Sequence, residues 1–423
     1  MVKALMVAGT HSGVGKTTIA LGLMRLFNAA PFKVGPDFID TGYQAMGSRR
    51  VARNLDPFLC GEEGLRQVFA HGTMGADCAI IEGAMGFYDG RVGVQVPAEA
   101  SSAHVAQILG APVILVLSAR HIGQSLAAMI RGYVMESPVP VVGVIINFVG
   151  GAKHEAICRA AAEQAGVPLL GLIPRNAELH VPSRHLGLMT VQENNEAEAY
   201  LRACAGLVEK YCDIDTIGTL MREITTDVVS LQPLANKNKK IGIATGRAFS
   251  FRYPEWAELC GQEVVEFDPL VEPIPEVDGL YIPGGYPEVH AKYLSSSQAT
   301  KDLLDKARQG LPIWAECGGL LWLVKDIDGI PMSGVIDAHA SMSTLSLGYR
   351  EAIATQDSVI APAGARVRAH EFHHSRMTYG QESPAWAMRE GVEGFVDGAI
   401  YASYLHLHPV GNLAALERFI SAL

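Results

Sequence analysis

Short apolar runs alternate with longer amphipathic stretches along the first half of the chain. The runs "KALMVAG", "CAIIEGA", "PVILVLS" and "VVGVIIN" are rich in β-branched and small residues, which is typical of buried strands. The stretch "GKTTIALGLMRLF" follows the first run directly, and its apolar spacing predicts a helix. This alternation predicts a mostly parallel, doubly wound sheet.

The same alternation of apolar runs and amphipathic stretches begins again after a helical region. A helical pattern runs from about Asn195 to Met221 and is followed by the polar stretch "PLANKNKK", which is typical of a linker. New apolar runs then appear as "IGIAT", "EVVEF", "GLYIPGG" and "LPIWAEC". We therefore predict two α/β domains, at residues 1–195 and 239–423, joined by a helical connection and linker at 196–238.

Composition narrows the class of protein. The chain has 423 residues, of which 49% are hydrophobic and 18% charged, with a formal net charge of −10. This balance predicts a well-buried enzyme and disfavours nucleic acid as a partner. The apolar runs are too short to cross a bilayer, and no leader pattern opens the chain. The seven cysteines form no CxxC pair, so we expect a reducing, cytoplasmic setting without a membrane partner.

The segment "AGTHSGVGKTT" predicts a phosphate-binding loop. It lies between a strand and a helix, where backbone N–H groups can cradle phosphates. It departs from the usual pattern because Thr10 occupies the place of the first glycine. The lysine can reach the β- and γ-phosphates, and the first threonine hydroxyl can hold Mg²⁺. The predicted ATP-binding residues in this loop are Gly13, Gly15, Lys16, Thr17 and Thr18.

Polar side chains follow several predicted strands of the first domain. Ligands of open α/β sheets bind at the carboxyl ends of strands, so these residues are candidates for metal, substrate or nucleotide contacts. Loop aspartates are also common turn residues, and an amide at a strand end can either read adenine or form a turn. The candidates are Lys33, Asp37, Asp40, Asp56, Glu82, Asp89 and Asn147.

The stretch "PIWAECGGLLW" places Cys317 between a predicted strand and a glycine-rich helix start. A buried structural thiol would fit the apolar surroundings, but a sharp strand-to-helix turn also exposes a nucleophile and supplies an oxyanion hole. Backbone N–H groups at Gly318 and at Gly285, in the second glycine pair "PGGYPE", are the predicted donors. The segment "YASYLHLH" puts His406 and His408 at alternate positions of a predicted strand, and either can act as the base.

These motifs together resemble one family. The ordered segments are "AGTHSGVGKTT", "PFKVGPDFID", "RNLDPF", "EGAMGFYDG", "PSRHLGL", "YIPGGYPEVHA", "AECGG", "LGYREA", "HEFHHS" and "ASYLHLH". They are similar to those of the cobyrinic acid a,c-diamide synthases, from near residue 4 to near residue 408. That family joins a dethiobiotin-synthetase-like ATP domain to a flavodoxin-like, class I (triad-type) glutamine amidotransferase domain.

The resemblance implies ATP- and glutamine-dependent amidation of the a and c acetates of an acidic macrocycle, in cobalamin biosynthesis. Cys317, activated by His406, would release ammonia from glutamine, and ammonia would displace phosphate from an acyl phosphate. ATP is then a co-substrate and Mg²⁺ the cofactor. By the same matching, Thr17, Glu82 and Asp56 would face the metal. The remaining implied assignments are catalytic roles for Asp37 and Asp89, substrate contacts for Lys33 and Asp40, and an adenine contact for Asn147.

The sequence departs from the related amidotransferases at one important position. Many of them carry a glutamate two residues after the histidine, where this chain has His408. The resemblance therefore leaves His406 without its usual orienting carboxylate. By the same resemblance, the segment "LMRLFNAAPFKVG" is shorter than the usual connection between the first helix and the next strand.

Several readings stay open at this point. Hydrogenobyrinic acid and nickel sirohydrochlorin are acidic macrocycles that the same chemistry would suit. A partitioning or metallochaperone-type ATPase switch would use the phosphate loop without needing Cys317, and a binding protein with an inactive amidotransferase domain would explain the missing glutamate. A homodimer is an open option for the assembly.

Overall fold

The computed structural model describes residues 1–93, 95–177, 179, 183–184, 187–226 and 228–423. The chain divides into two compact units, Met1–Leu231 and Gln232–Leu423. None of the helices in the described ranges is both long and apolar enough to cross a membrane.

The first unit is built on a central sheet whose main strands run parallel in the order β3-β2-β4-β1-β5-β6-β7. A short strand, β10, pairs antiparallel with the beginning of β1, and β8 and β9 form a separate two-stranded ribbon. The apolar runs form the centre of this sheet because both of its faces are covered by helices. The strands of this unit are β1 (Val2–Gly9), β2 (Ala30–Val34), β3 (Arg53–Leu55), β4 (Cys78–Glu82), β5 (Val113–Ser118), β6 (Val141–Val149), β7 (Leu169–Pro174), β8 (Ser183–Arg184), β9 (Gly187–Leu188) and β10 (Arg222–Ile224).

The helices of the first unit begin and end at recognisable signals. Asn28, in the left-handed conformation with φ 48°, ends the first helix and donates its N–H to the carbonyl of Met24, so the next strand begins two residues later. Asp56 caps another helix. The helices are α1 (Lys16–Phe27), α2 (Ile39–Ser48), α3 (Pro57–Gly72), α4 (Ser102–Leu109), α5 (Leu126–Glu136), α6 (Ala152–Ala165), the 3₁₀ turn Arg175–Ala177, α7 (Ala197–Tyr211) and α8 (Ile214–Leu220).

The helical region after the phosphate-binding domain returns to pack on it. A Cβ at Gly22 of α1 would lie 2.5 Å from Cγ2 of Val208 of α7, so the two helices are in close contact. Leu201 and Cys204 of α7 are fully buried in a cluster with Leu21 of α1. The first unit therefore includes α7, α8 and β10 as part of its fold.

The second unit contains another central sheet, in the order β12-β11-β13-β14-β22-β21. All neighbouring strands in it are parallel except the edge pair β21 and β22. The strands are β11 (Lys240–Ala244), β12 (Glu263–Phe267), β13 (Gly279–Ile282), β14 (Ile313–Glu316), β21 (Phe395–Asp397) and β22 (Ile400–Ser403).

A second sheet of this unit contains a long antiparallel hairpin, β17 and β18, with a register shift between Met342 and Ser346. Its strands are β15 (Asp326–Ile327), β16 (Ile330–Pro331), β17 (Ala338–Ala354), β18 (Arg366–Tyr379), β19 (Trp386–Met388) and β20 (Gly391–Glu393). The helices of the unit are α9 (Glu255–Leu259), α10 (Ala291–Ser296), α11 (Gln298–Arg308), α12 (Gly318–Leu323) and α13 (Leu413–Ala422). The predicted class, two α/β domains with mostly parallel main sheets, is confirmed.

Candidate active sites

The phosphate-loop segment forms a tight turn between β1 and α1. Gly13 and Gly15 have φ values of 81° and 99°, a region that glycine adopts at little cost. A Cβ at Gly15 would lie 2.3 Å from Nδ2 of Asn147, so the loop also needs glycine for space. The backbone N–H groups at the start of α1 therefore lie where a nucleotide phosphate would be bound.

Lys16 is folded back across this loop. Its Nζ donates to the carbonyl oxygens of Met85, at 2.6 Å, and His11, at 3.1 Å. Burial and the nearby Lys33 ammonium lower the pKa of Lys16 to about 8, against the opposing pull of acidic neighbours. An incoming phosphate would give this ammonium a stronger partner than two neutral carbonyls.

A buried charged network lies at the carboxyl ends of β2 and β4. The parallel register places Lys33 beside Glu82, and Nζ of Lys33 donates to Oε1 of Glu82 at 2.8 Å and to Oδ2 of Asp40 at 2.6 Å. Burial alone would lower the pKa of Lys33, but Asp40 and Glu82 raise it above its usual range. The two carboxylates therefore hold a charged lysine at the carboxyl ends of these strands.

Glu82 is the centre of this network. Its side chain is fully buried. Oε1 also accepts from the Thr17 hydroxyl at 2.6 Å, and Oε2 accepts from Nε2 of Gln44 at 2.7 Å. The structure thus brings together Thr17, Glu82, Lys33 and Asp40, which the sequence placed on three separate segments.

Asp37 lies on the loop after β2, beside this network. Its Oδ1 accepts from the backbone N–H groups of Ile39, at 2.9 Å, and Asp40, at 2.8 Å. Burial, together with the neighbouring Asp40 carboxylate, raises the pKa of Asp37 to about 7. A carboxyl group with this pKa can hold or release a proton near neutral pH.

The other predicted residues of this unit have local partners. Oδ2 of Asp89 accepts from the N–H of Gly86 at 3.0 Å. Oδ1 of Asp56 accepts from the N–H groups of residues 58 and 59, at 2.9 and 3.1 Å, as the cap of α3. Asn147 donates to the carbonyl of Val14 at 3.0 Å. The Thr18 hydroxyl lies 3.4 Å from that of Tyr200. These contacts account for each side chain structurally, and their roles toward ligands stay predictions.

A cavity of about 250 Å³ opens beside the phosphate loop. Its polar lining includes Lys16, Thr17, Thr18, Asp40 and Asn147, and its apolar lining comes from β7 and α7. It is an appropriate place for the base and ribose of a nucleotide whose phosphates lie on the loop.

The oxygen donors near Thr17 fit a hard divalent cation. Mg²⁺ usually takes one or two carboxylates and completes its shell with water and substrate phosphates. The Thr17 hydroxyl and the Glu82 carboxylate, 2.6 Å apart, can supply such a partial shell. The described residues contain no group of three or more acidic, histidine or cysteine side chains that could hold a metal alone. The donor set therefore suits a nucleotide-bound Mg²⁺.

In the second unit, Cys317 lies at a sharp turn between β14 and α12. Its φ of 48° and ψ of −104° are unusual for a residue with a side chain, and such a conformation costs about 1–3 kcal/mol. The turn is held by a hydrogen bond from the N–H of Cys317 to the carbonyl of Ser403 of β22, at 2.7 Å. A strained turn that the surrounding sheet holds in place is typical of a nucleophile between a strand and a helix, although the side chain of Cys317 itself is buried.

Glycines make room for this turn and for the histidine beside it. A Cβ at Gly318 would lie 2.8 Å from the backbone N of Gly285, so the two predicted oxyanion-hole glycines are adjacent. Gly285 also has a φ of 157°. A Cβ at Gly284 would lie 2.4 Å from Cε1 of His406. Each glycine pair thus permits a close approach that a larger residue would block.

His406 is buried next to Cys317. Its backbone forms a short bridge with His370 of β18, with N–H···O distances of 2.8 and 3.2 Å. Burial pulls the pKa of His406 downward, but its interactions with Cys317, including a hydrogen bond, and with Glu316 raise it to about 10. The structure therefore places His406 against the cysteine and favours its protonated form, and the catalytic role of this pair stays a prediction.

The two histidines of "YLHLH" face different neighbours. The predicted strand ends at Ser403, so His406 and His408 do not share one strand face as the alternation suggested. His408 lies against Tyr253, with ring centroids 4.3 Å apart, and its Nε2 is 4.0 Å from Oε2 of Glu255. The choice of His406 as the cysteine's partner could not be made from alternation alone.

A carboxylate that the sequence analysis did not single out lies behind His406. Oε2 of Glu316 is 3.7 Å from Nδ1 of His406, and both side chains are almost fully buried. The signal in the sequence was a glutamate at the end of the otherwise apolar strand "PIWAE". A buried acid there requires partners, and its position directly before Cys317 places it near the reacting groups.

A narrow pocket leads to Cys317. Its walls come from the segment after β11, the second glycine pair, α12 and the β17–β18 hairpin. The residues around the thiol are Phe251, Gly285, Tyr286, Glu288, Leu321, Met342, Phe372, His373, His374 and Ser375. The "HEFHHS" segment thus lies on β18 beside the thiol, where His373 stacks on Tyr404 with ring centroids 3.6 Å apart.

Two family models match the chain, one in each unit. Residues 5–188 match the CobQ/CobB/MinD/ParA nucleotide binding domain, and residues 240–412 match the CobB/CobQ-like glutamine amidotransferase domain. A switch ATPase would require only the first of these. Together the matched ranges hold all of the predicted site residues.

Curated relatives are similar over nearly the whole chain. The hydrogenobyrinate a,c-diamide synthase of Mycobacterium bovis is 44% identical, over 99% of this chain and 98% of that protein. The enzyme of the same name from Streptomyces coelicolor is 41% identical, over 99% and 97%. The cobyrinate a,c-diamide synthase of Caldanaerobacter subterraneus is 37% identical, over 99% and 98%. With both units matched along their length, the chain belongs to the family of cobyrinate and hydrogenobyrinate a,c-diamide synthases.

Proposed function

We propose that this protein is a carbon–nitrogen ligase that amidates the a and c acetate side chains of a corrin-type macrocycle, with ATP and glutamine as co-substrates. The observation that carries the proposal is the strained Cys317 turn with the His406 ring beside it, in a chain that also contains a phosphate loop. Full-length similarity to a,c-diamide synthases supports the same reaction.

The glutaminase half of the reaction belongs to the second unit. The Cys317 thiolate attacks the carboxamide carbon of glutamine, and the N–H groups of Gly285 and Gly318 stabilise the resulting oxyanion. His406 then gives its proton to the departing nitrogen, which leaves as ammonia. Water hydrolyses the thioester, so that glutamate is released and the thiol is regenerated.

The ligase half belongs to the first unit. A carboxylate oxygen of the macrocycle attacks the γ-phosphorus of ATP, the bond to the bridging oxygen breaks and ADP leaves. Ammonia then attacks the carbonyl carbon of the acyl phosphate and displaces phosphate, which gives the amide. Lys16 and Lys33 balance the charge that develops on the transferred phosphoryl group. Asp37 and Asp89 are the candidates for proton transfer and for orienting the nucleophile. Asp40 positions Lys33 through the bond of 2.6 Å described above.

The nucleotide is placed by the phosphate loop and the neighbouring cavity. Gly13, Gly15 and Thr18 would contribute the backbone and side-chain cradle, and Asn147, which lines the neighbouring cavity, would contact the adenine edge. Mg²⁺, held by Thr17 and Glu82, would neutralise phosphate charge. Asp56 is the weaker candidate for a metal ligand, because one of its carboxylate oxygens already accepts the hydrogen bonds that cap α3.

The macrocycle is hydrogenobyrinate or cobyrinate. The relatives with 41% and 44% identity bear the hydrogenobyrinate name, whereas that from Caldanaerobacter, at 37%, bears the cobyrinate name. This order makes hydrogenobyrinate the first substrate to test. A cytoplasmic location and a homodimeric assembly complete the proposal.

The test is a reconstituted assay. The purified full chain is given Mg·ATP, glutamine labelled at the amide nitrogen, and either macrocycle, and the products are read by mass spectrometry. We expect two successive acid-to-amide changes that both carry the label. Cys317→Ala should abolish amidation from glutamine but retain it from ammonium. The proposal is wrong if neither macrocycle is amidated, or if Cys317→Ala uses glutamine as well as the wild type does.

A further inference from the structure

A carboxylate behind a catalytic histidine orients its ring and stabilises its protonated form, and the residue two positions after His406 in this chain is His408 rather than an acid. We propose that Glu316, the residue directly before the nucleophile, orients the His406 ring and stabilises its protonated form. This inference rests on the proposed role of Cys317 and His406 in releasing ammonia. It places the residue that positions the base at the end of β14, directly before the nucleophile in the chain.

The geometry of the pair supports this role. Nδ1 of His406 lies 3.7 Å from Oε2 of Glu316, and the exposed fractions of the two side chains are 2% and 1%. With Nδ1 toward the carboxylate, Nε2 is the nitrogen left for the thiol. Catalytic hydrogen bonds are often long without substrate and shorten in the complex. The strand backbone also fixes how far Glu316 can lie from Cys317, since the two residues are adjacent.

The carboxylate of Glu316 accepts hydrogen bonds from two aromatic side chains and one backbone N–H group. Oε1 accepts from Nε1 of Trp314 at 3.0 Å and from the N–H of Leu407 at 3.4 Å, and Oε2 accepts from the Tyr281 hydroxyl at 3.1 Å. Each of these partners donates a hydrogen bond and so fixes the position of the carboxylate. The Leu407 bond also ties the carboxylate to the residue next to His406 in the chain.

The aromatic partners make this arrangement rigid. Tyr281 is stacked on Trp256 with ring centroids 4.2 Å apart and planes within 4°. Trp314 meets both of these rings edge-on at 5.7 Å. All of these rings are buried, so the donors of Glu316 cannot turn away without disturbing the core. A buried network with fixed donors is well suited to hold one ring orientation.

Other titratable groups near His406 do not provide this charge. On β18, His370 and His373 face it, and burial lowers the pKa of both, that of His370 to about 3 with a contribution from His406 itself. Both are therefore neutral at pH 7. The nearest acidic residue on β18, Glu371, forms an ion pair with Arg350.

A further buried carboxylate, Glu393, binds the segment that leads to His406. It accepts from the Ser403 hydroxyl at 2.6 Å and from the N–H of Tyr404. Within the described residues, Glu316 is the carboxylate that the ion-pair geometry places at His406.

The chain contains a matched control for the experiment. Glu255 and His408 form a second buried glutamate–histidine pair, 4.0 Å apart, with both side chains fully buried. Its histidine faces Tyr253 rather than the nucleophile. Glu255→Gln therefore removes a buried carboxylate beside a histidine without touching the proposed catalytic pair.

The test compares Glu316→Gln and Glu255→Gln in the full-length protein. For Glu316→Gln we expect the glutaminase kcat to fall on the order of 100-fold or more, with little change in the KM for glutamine. Amidation from ammonium should keep its wild-type rate. The midpoint pH for alkylation of Cys317 by iodoacetamide should rise by about one pH unit or more, because the imidazolium that stabilises the thiolate is weakened. Glu255→Gln should leave this midpoint unchanged.

A purely structural role for Glu316 would reduce yield or thermal stability but would not move the alkylation midpoint. If Glu316→Gln does not fold, Glu316→Asp, which keeps the charge but retracts it, should shift the midpoint in the same direction by less. An unchanged midpoint in the variant that folds overturns the inference, as does an equal shift in Glu255→Gln. If Cys317→Ala also retained glutaminase activity, the proposed function itself would fail, which separates the two outcomes.

Discussion

Replacing Lys33 with methionine should destabilise the first unit strongly. The change leaves Glu82, which is fully buried, and Asp40, which is nearly so, without the ammonium that now lies 2.8 and 2.6 Å from them. Removing one partner of a buried ion pair costs about 3–5 kcal/mol. Glu82 keeps hydrogen bonds from Thr17 and Gln44, so we expect the lower end of this range, about 3 kcal/mol.

The distribution of tryptophans allows this effect to be measured selectively. All four tryptophans of the chain, at positions 256, 314, 322 and 386, belong to the second unit. Urea unfolding of Lys33→Met should be followed by far-UV circular dichroism, which reports both units, and by tryptophan fluorescence, which reports the second. We expect a part of the dichroism transition to move to lower urea while the fluorescence transition stays in place.

Arg159→Met is the matched surface control. Arg159 forms an ion pair with Glu155 one turn away on α6, at 2.8 Å, but both side chains are largely exposed. Exposed pairs of this kind contribute about 0.3–0.5 kcal/mol, so the control should unfold nearly as the wild type does. A loss below about 1 kcal/mol in Lys33→Met, or a loss equal to that of Arg159→Met, would refute the account of Lys33 as the cation that balances two buried carboxylates.

Three further changes have defined outcomes. Since the pKa of Asp37 is raised to about 7 in the folded protein, its unfavourable ionisation develops between about pH 4 and 7. Asp37→Asn should therefore match the wild type in stability near pH 4 and exceed it by about 1–3 kcal/mol at pH 8, which thermal melts at the two pH values would check; a gain of equal size at both values would contradict this. Gly284→Ala should displace the His406 ring and cost about 1–3 kcal/mol, so glutamine-dependent turnover should fall while ammonium-dependent turnover remains, and equal losses in both assays would contradict the placement. Asn147→Ala should raise the KM for ATP and leave the glutaminase rate unchanged, and an unaltered KM would remove Asn147 from the nucleotide site.

The strands that carry the sites were predictable because their pattern is local. The runs that became β1, β4, β5 and β6 are apolar along most of their length, as is typical of buried parallel strands. The phosphate loop and the Cys317 turn were also predictable, because glycine at fixed positions reports a backbone conformation or a close contact. The resemblance to one family then supplied the order of the motifs and the reaction class.

Contacts between distant segments were not predictable in the same way. Glu316 was read as part of a strand, and its role emerged only when the fold placed Oε2 of Glu316 3.7 Å from Nδ1 of His406. The alternation of "YLHLH" predicted a shared face, but the strand ends at Ser403 and the chain then turns. Pairings of this kind depend on tertiary geometry, which a periodic pattern does not contain.

The return of α7 and β10 to the first sheet has a consequence for where this chain can be divided. A gene fragment that stops at residue 188, the end of the matched nucleotide-binding region, would lack the helix that covers Leu21 and the strand that borders β1. Its product would present bare apolar surface and would tend to aggregate. A bipartite version of the protein, expressed from two reading frames, should be split within residues 228–239, where each polypeptide would keep its own core.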